Sequence, residues 1–188
     1  NLPPYKARTF VPPDLALDNW AAIEPLFGQL EERIAACESV SDLEGWVLEV
    51  SELSAILDEE GSRRYIAMTC HTSNKDAKKG YLDFVENIEP GMKERFFRLS
   101  KLFVNHPNRN DLPSEKYEVL NRDWASYVEL FREENVPLET EETKLGQQYQ
   151  EMMGALTVEF KGEEKTLVQM GVYLQENDRP LRQEAWEL

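Results

Sequence analysis

The strongest constraint on the fold is a run of large apolar side chains at helical spacing in the second half of the chain. After Ser114 these side chains recur in strict 3-4-3-4 spacing, as Tyr117, Leu120, Trp124, Tyr127 and Phe131. An α-helix places residues three and four apart on the same face. The pattern therefore predicts an amphipathic helix over about 114–133, roughly 30 Å long. Such a helix needs partners against which to bury its apolar face.

The same spacing predicts a series of helices before this one. The first runs from Trp20 toward Cys37, and Pro25 is expected to kink it or to set off a short first segment. Ser41 and Glu44 form an S-x-x-E pattern that is typical of a helix N-terminus, and we expect this second helix to break at Gly61. A further helical pattern is interrupted at Pro90-Gly91 and resumes through Phe103.

One short segment instead has the alternation of a β-strand. Apolar and polar residues alternate from Leu156 to Phe160, and Lys161-Gly162 can form a tight turn. This pattern predicts a small β-hairpin near residues 156–165. Thr166 and Gln169 then form a T-x-x-Q capping box for another helix.

These elements predict a mainly all-α fold, an antiparallel bundle of long helices with the one small β-hairpin. The length of 188 residues suits one large domain or two small ones. We expect an extended arm over 1–17, where prolines disfavour a helix, and a helical domain over 18–154. Residues 155–188 are expected to form the hairpin and the helices that follow it.

Charge and cysteine content narrow the class of protein. The formal net charge is −15 at pH 7, which argues against nucleic acid and anionic membranes as partners. The two cysteines, Cys37 and Cys70, do not form a C-x-x-C pair, and no apolar run approaches the length needed to cross a bilayer. We therefore expect a cytoplasmic protein that binds neither nucleic acid nor membrane.

No catalytic motif is present in the chain. A zinc hydrolase of the common kind needs H-E-x-x-H, but the histidines are only His71 and His106, far apart and without a following Glu. Both are expected at helix ends or turns. The adjacent acids Glu141 and Glu142 are expected on a solvated face, and the aromatic stripe over 117–131 in the core, although it could line a pocket. No catalytic, cofactor-binding or metal-binding residue is assigned.

The last residues have the pattern of a helix without a stop signal. Asp178 is a good N-cap, Pro180 suits a first turn, and Leu181, Ala185 and Leu188 fall on one face. No Gly, Asn or Pro follows. We expect this helix to pack against a partner that lies further along a longer protein.

The order of these motifs resembles the N-terminal region of oligoendopeptidase F-type enzymes, in the M3 (thimet-like) family of zinc metallopeptidases. The resemblance covers nearly the whole chain. It is most specific at Trp46–Leu53 (WVLEVSEL) with Tyr65-Ile66 and Cys70-His71-Thr72, at Leu130–Leu138 (LFREENVPL), and in the G-x-E-x-T hairpin at Gly162 followed by a D-R-x-x-R-x-x-A helix at Asp178.

The resemblance implies a mostly helical body split by a deep channel with zinc at its floor, where the N-terminal helices form one wall and admit short unfolded peptides. It implies that a zinc-activated water attacks the peptide bond, with the Glu of H-E-x-x-H as general base. That motif would lie downstream, in a missing catalytic domain into which residues 155–188 lead. The resemblance therefore assigns no catalytic or metal-binding residue to this chain, which should be inactive alone. Its expected partners are its own C-terminal catalytic domain and short peptide substrates.

A second hypothesis is a free-standing, acidic helical protein-interaction module. It is motivated by the lack of a catalytic motif and by the negative charge. The two hypotheses make different predictions about the rest of the reading frame, because only the peptidase requires H-E-x-x-H further along the same polypeptide. The sequence does not determine peptide preference, oligomeric state or the residues that line a substrate channel.

Overall fold

A computed structural model describes residues 8–188 of the chain. Residues 1–7 of the predicted arm lie outside the described residues. Residues 8–19 contain no helix or strand. The described helices are α1 (Trp20–Ile34), α2 (Val40–Cys70), α3 (Lys75–Asn87), α4 (Glu89–Val104), α5 (Ser114–Leu130), α6 (Val136–Ala155), α7 (Leu167–Tyr173) and α8 (Arg179–Trp186).

The two strands are β1 (Thr157–Phe160) and β2 (Glu163–Thr166), and short 3-10 helices lie at Pro107–Asp111 and Glu133–Asn135. The predicted fold class, mainly helical with one small hairpin, is therefore confirmed. The chain divides into two compact units, Asn1–Thr140 and Glu141–Leu188. The sequence-based boundary near residue 155 lies inside the second unit.

The core of the first unit is built around Trp46 of α2. Its buried indole N–H donates a hydrogen bond to the carbonyl oxygen of Leu30 in α1 at 2.8 Å. Its ring is stacked with Phe103 of α4 at 6.2 Å and meets Trp124 of α5 edge-on, also at 6.2 Å. One side chain thus joins α2 to three other helices, and buried aliphatic side chains fill the space around it.

The second helix starts earlier and runs further than its sequence pattern predicts. Ser39 is the N-cap, because its hydroxyl accepts from the Asp42 amide at 3.1 Å while the Asp42 carboxylate accepts from the Ser39 amide at 2.9 Å. The prediction of a capping box at Ser41 and Glu44 was wrong by two residues. The predicted break at Gly61 was also wrong, since α2 continues to Cys70.

Two glycines mark close approaches between helices rather than helix ends. A Cβ at Gly61 would lie 3.1 Å from the ring of Phe84 in α3, so glycine lets α3 pack closely here. A Cβ at Gly91 would lie 2.5 Å from the indole of Trp20 in α1. The predicted interruption at Pro90-Gly91 falls instead at Ile88, and Pro90 occupies the first turn of α4.

Two other helix ends differ from the sequence pattern. Helix α1 is continuous through Pro25, so there is no separate short first segment. Helix α5 ends at Leu130, short of the predicted residue 133, because Phe131 adopts an extended backbone. Helix α6 begins at Val136 and not near residue 139.

The second unit has a small core of its own. Phe160 of β1, Met170 of α7 and Ala185 of α8 are buried together. Lys161 and Gly162 have φ angles of 54° and 78°, as the tight hairpin turn requires. The predicted capping box of Thr166 and Gln169 is confirmed, as is the Asp178 N-cap, which accepts from the Leu181 amide at 3.3 Å.

Glu52 of α2 fixes the segment that precedes α1. Its carboxylate accepts hydrogen bonds from the amides of Thr9, Phe10 and Val11 at 2.8 to 3.1 Å and from the Thr9 hydroxyl at 3.1 Å. These bonds place Val11 in the core, where it is buried. Burial alone would raise the pKa of the Glu52 carboxyl, but the hydrogen bonds outweigh it and lower the pKa below its ordinary value.

We expect Gly91→Ala to lower the free energy of unfolding by about 1–3 kcal/mol, because the added methyl group displaces the Trp20 ring. The matched control is Gly45→Ala, where a Cβ meets nothing within 4 Å. That variant should be neutral or up to about 1 kcal/mol more stable, because alanine favours the helix. Urea denaturation measures both, and equal effects of the two substitutions would contradict the close approach.

We expect Glu52→Gln to reduce stability at pH 7 on the order of 1 kcal/mol, because the neutral amide accepts more weakly than the carboxylate. A lowered pKa contributes stability that is complete above the unfolded value of about 4.3 and is lost as the pH falls through the folded value. The difference between the wild type and Glu52→Gln should therefore shrink at acidic pH.

Urea denaturation between pH 7 and pH 3 measures this difference. Glu32→Gln, at an exposed carboxylate of α1, serves as the control for the removal of one charge. A wild-type advantage over Glu52→Gln that stays constant across this range would contradict the assigned role of Glu52.

Candidate functional site

A groove crosses the first unit between α2 on one side and α4 and α5 on the other. It consists of two adjoining cavities of about 750 and 560 Å³, which share the lining residues Ser54, Asp58, Phe96 and Tyr127. Tyr81 and Phe84 of α3 also line the larger cavity. We call this feature the α2–α5 groove. Cavities of this size are typical of ligand sites in proteins.

The groove is open because α2 presents small side chains to it. Ser54, Asp58 and Ser62 recur every four residues, which places them on one face of the helix, and Gly61 lies beside them. Leu53, on a neighbouring face of α2, is fully buried in the core. The sequence thus gives α2 one face that packs and one face that leaves space.

Aromatic rings that line the groove are held by contacts with one another and with the core. Trp124 lies edge-on to Phe103 with 4.8 Å between ring centroids, and Tyr65 meets Tyr81 edge-on at 5.5 Å. The Tyr127 hydroxyl donates to the carbonyl oxygen of Lys93 at 3.2 Å. These contacts fix the rings before any ligand arrives, which reduces the entropy lost on binding.

The charges that line the groove are mostly negative. Asp58, Glu89 and Asp123 contribute carboxylates, and Lys93 is the lysine of the lining. The Lys93 ammonium lies 2.7 Å from the carboxylate of Glu139, so a large part of its charge is already paired. Within residues 8–188, the Asp58 carboxylate accepts a hydrogen bond from the Ser54 hydroxyl at 3.2 Å.

Glu89 is the half-buried acid of the groove and opens helix α4. Burial raises the pKa of its carboxyl; nearby Lys93 acts in the opposite direction, and Asp58 adds to the increase. Burial also raises the pKa of the Tyr81 hydroxyl, with a further contribution from Glu89. Asp58, Glu89 and Tyr81 all line the larger cavity.

The aromatic stripe of α5 has two roles. The sequence analysis favoured a core position for the whole stripe, and Tyr117 is indeed buried in the core. Leu120, Trp124 and Tyr127 are only partly buried, and they line the groove. Phe131, beyond the end of the helix, stacks on Phe97 of α4 at 4.3 Å.

The histidines and cysteines are not gathered into a site. His71 is the C-cap of α2, and the Nδ1 atom of His106 accepts from the Asn108 amide at the start of a 3-10 helix. Cys37 and Cys70 are both free thiols. Within residues 8–188 no group of three or more His, Cys, Asp or Glu side chains is arranged to hold a metal ion.

Across residues 8–188, no helix combines enough length with enough apolar character to span a membrane.

The sequence analysis singled out neither Asp58 nor Glu89. The signal was present for Asp58, because Ser54, Asp58 and Ser62 form a small polar stripe on a helix whose other face is apolar. Glu89 gave no such signal, since its partial burial depends on the way α3 and α4 meet at Ile88.

Two solved structures share this fold. A crystal structure assigned to oligoendopeptidase F matches 96% of this chain with a TM-score of 0.82 and 22% sequence identity. A PZ peptidase A solved with an inhibitor matches 90% of the chain with a TM-score of 0.78, also at 22% identity. The matches cover 32% and 30% of those chains, so this chain spans about a third of their length. The fold is therefore one that occurs within peptidases.

The family is shown by sequence. The family model described as the Peptidase M3 N-terminal domain matches residues 14–131, more than half of the chain, and the chain belongs to this family. A comparison with curated protein sequences gave no match. The resemblance found in the sequence analysis is confirmed, and it favours a peptidase domain over a free-standing interaction module.

Proposed function

We propose that this chain is the N-terminal helical domain of a zinc-dependent oligopeptidase, and that the α2–α5 groove forms part of the wall past which short peptides reach the active site. The extent of the family match carries this proposal. Residues 14–131 include α1 to α5, and therefore every residue that lines the groove.

In this proposal the chemistry is performed by a catalytic region of the same polypeptide. Three protein ligands are the usual minimum for catalytic zinc, and residues 8–188 offer no such group. His71 and His106 lie at separate helix ends, where each serves as a cap. We therefore assign the zinc and the H-E-x-x-H motif to the catalytic region and no catalytic residue to this chain.

Helix α6 supports the proposed docking of a catalytic region. Its large apolar residues Leu145, Tyr149 and Met152 fall on one stripe and are 55–65% exposed. Among the described residues of α6, only Val136 is buried. A 20-residue helix with an open apolar stripe gains stability when a partner covers that stripe.

The remaining parts of the proposal concern setting and partners. Short peptides are the proposed substrates, and neither nucleic acid nor membrane is a proposed partner. The free thiols Cys37 and Cys70 are compatible with a reducing cytoplasm, where we place the protein.

The test is reconstitution of activity from two pieces. This chain alone should neither hold stoichiometric zinc nor cleave a fluorescence-quenched peptide. Added to a separately produced catalytic region from the same reading frame, it should bind that region and favour cleavage of short peptides over long ones. Metal analysis and peptide kinetics measure these outcomes.

Met152→Glu places a charge on the apolar stripe of α6 and should weaken reconstitution about tenfold or more. Gln150→Glu adds the same charge at an exposed position off the stripe and should leave reconstitution unchanged. Hydrolysis by this chain alone, or a catalytic region with the same length preference whether or not this chain is present, would contradict the proposal.

A further inference from the structure

We infer that the α2–α5 groove binds a peptide segment that carries a lysine or arginine side chain, with the cation held between Asp58 and Glu89 and the neighbouring apolar side chains on the aromatic rings. The inference rests on the proposed function, from which it takes the peptide as the occupant of the groove. It adds a preference for a basic side chain and the position at which that side chain binds.

The charge balance of the groove points to a cation. Of the four charged lining residues, three are acids, and Lys93 is held by Glu139 at 2.7 Å. The nearest arginine on α2, Arg64, is also engaged, since it pairs with Glu60 at 2.8 Å and donates to the Gly80 carbonyl oxygen at 3.0 Å. Asp123 already pairs with Arg122 at 3.2 Å, so a peptide ammonium or guanidinium would meet chiefly the carboxylates of Asp58 and Glu89.

Glu89 has the strongest reason to accept a cation. It is half-buried and Asp58 disfavours its charged form, while Lys93, which is paired with Glu139, favours that form. A ligand cation between the two would relieve both the burial cost and the repulsion, because an opposite charge at close range favours the ionised carboxylate. The resulting hydrogen bonds would involve charged partners on both sides and would be correspondingly strong.

The aromatic lining suits the rest of such a segment. Tyr65 and Tyr81 line the larger cavity together with Glu89, Trp124 lines the smaller one, and Tyr127 lines both. Aromatic faces attract a cation and also cover apolar side chains. A groove in which rings and acids alternate in this way therefore matches a basic residue flanked by apolar ones.

Other occupants fit the groove less well. A phosphate or an acidic peptide would face Asp58, Glu89 and Asp123 without a free cation in the lining. An apolar helix from a catalytic region would bury Glu89 and Asp58 unpaired, and removing such charges from water is costly. The two cavities together have the volume for several side chains.

The test uses calorimetry on this chain with two blocked peptides of about six residues. Both consist of Leu, Phe and Ala around one central position, which is lysine in one peptide and the uncharged norleucine in the other. The lysine peptide should bind about tenfold more tightly, the effect expected for a hydrogen bond to a charged group. Asp58→Asn or Glu89→Gln should reduce this preference to about threefold or less.

Matched controls remove a charge from a neighbouring surface. Asp83→Asn on α3 and Glu94→Gln on α4 are outside the groove lining and should keep the full preference. Circular dichroism checks that each variant is folded. The comparison of the two peptides on the wild type needs no variant, so the inference can be tested even if a substitution unfolds the chain.

Equal affinity for the two peptides, no binding of either, or an equal loss of preference in Asp83→Asn and Glu89→Gln would each overturn the inference. A lysine preference that only Asp58→Asn and Glu89→Gln abolish supports it. These outcomes are separate from the reconstitution experiment, because binding is measured without a catalytic region. Active reconstitution without a lysine preference would refute only the present inference.

Discussion

The first unit depends on the burial of the Trp46 indole where four helices meet. Its N–H donates to Leu30 of α1, its ring stacks on Phe103 of α4, and Trp124 of α5 lies edge-on against it. A buried tryptophan needs both an apolar surround and a partner for its N–H. The packing of α1, α4 and α5 supplies both, so the position of each of these helices is tied to one side chain of α2.

This core also positions the groove. Trp124 contacts Phe103 and Trp46 on one side and lines the groove on the other, so the groove wall is an extension of the core. The face of α2 that carries Ser54 and Asp58 lines the groove together with these aromatic rings, which their contacts hold in place. A rigid, aromatic and acidic groove is suited to holding an extended peptide segment at low entropic cost. The Glu52 carboxylate fixes the segment before α1 through hydrogen bonds to its backbone amides.

Local patterns predicted more of the fold than of the groove. The helical stripe of α5, the hairpin turn at Lys161-Gly162 and the caps at Thr166 and Asp178 depend on neighbours within a few residues, and all are present. The sequence predicts a break at Gly61, whereas in the structure this glycine allows Phe84 of α3 to approach α2. A contact between two helices leaves no local pattern from which it could be predicted. Glu89 lines the groove for a similar reason, since its burial depends on how α3 and α4 meet.

The central claim, that this domain contacts the peptide which an M3 peptidase cleaves, is tested most directly by a crystal structure of the complete polypeptide with a non-cleavable lysine-containing peptide. The account predicts peptide density along the α2–α5 groove, with the lysine ammonium within hydrogen-bond distance of Asp58 or Glu89. A groove that is covered by the catalytic region, or a peptide that reaches the zinc without touching α2 or α5, would contradict it.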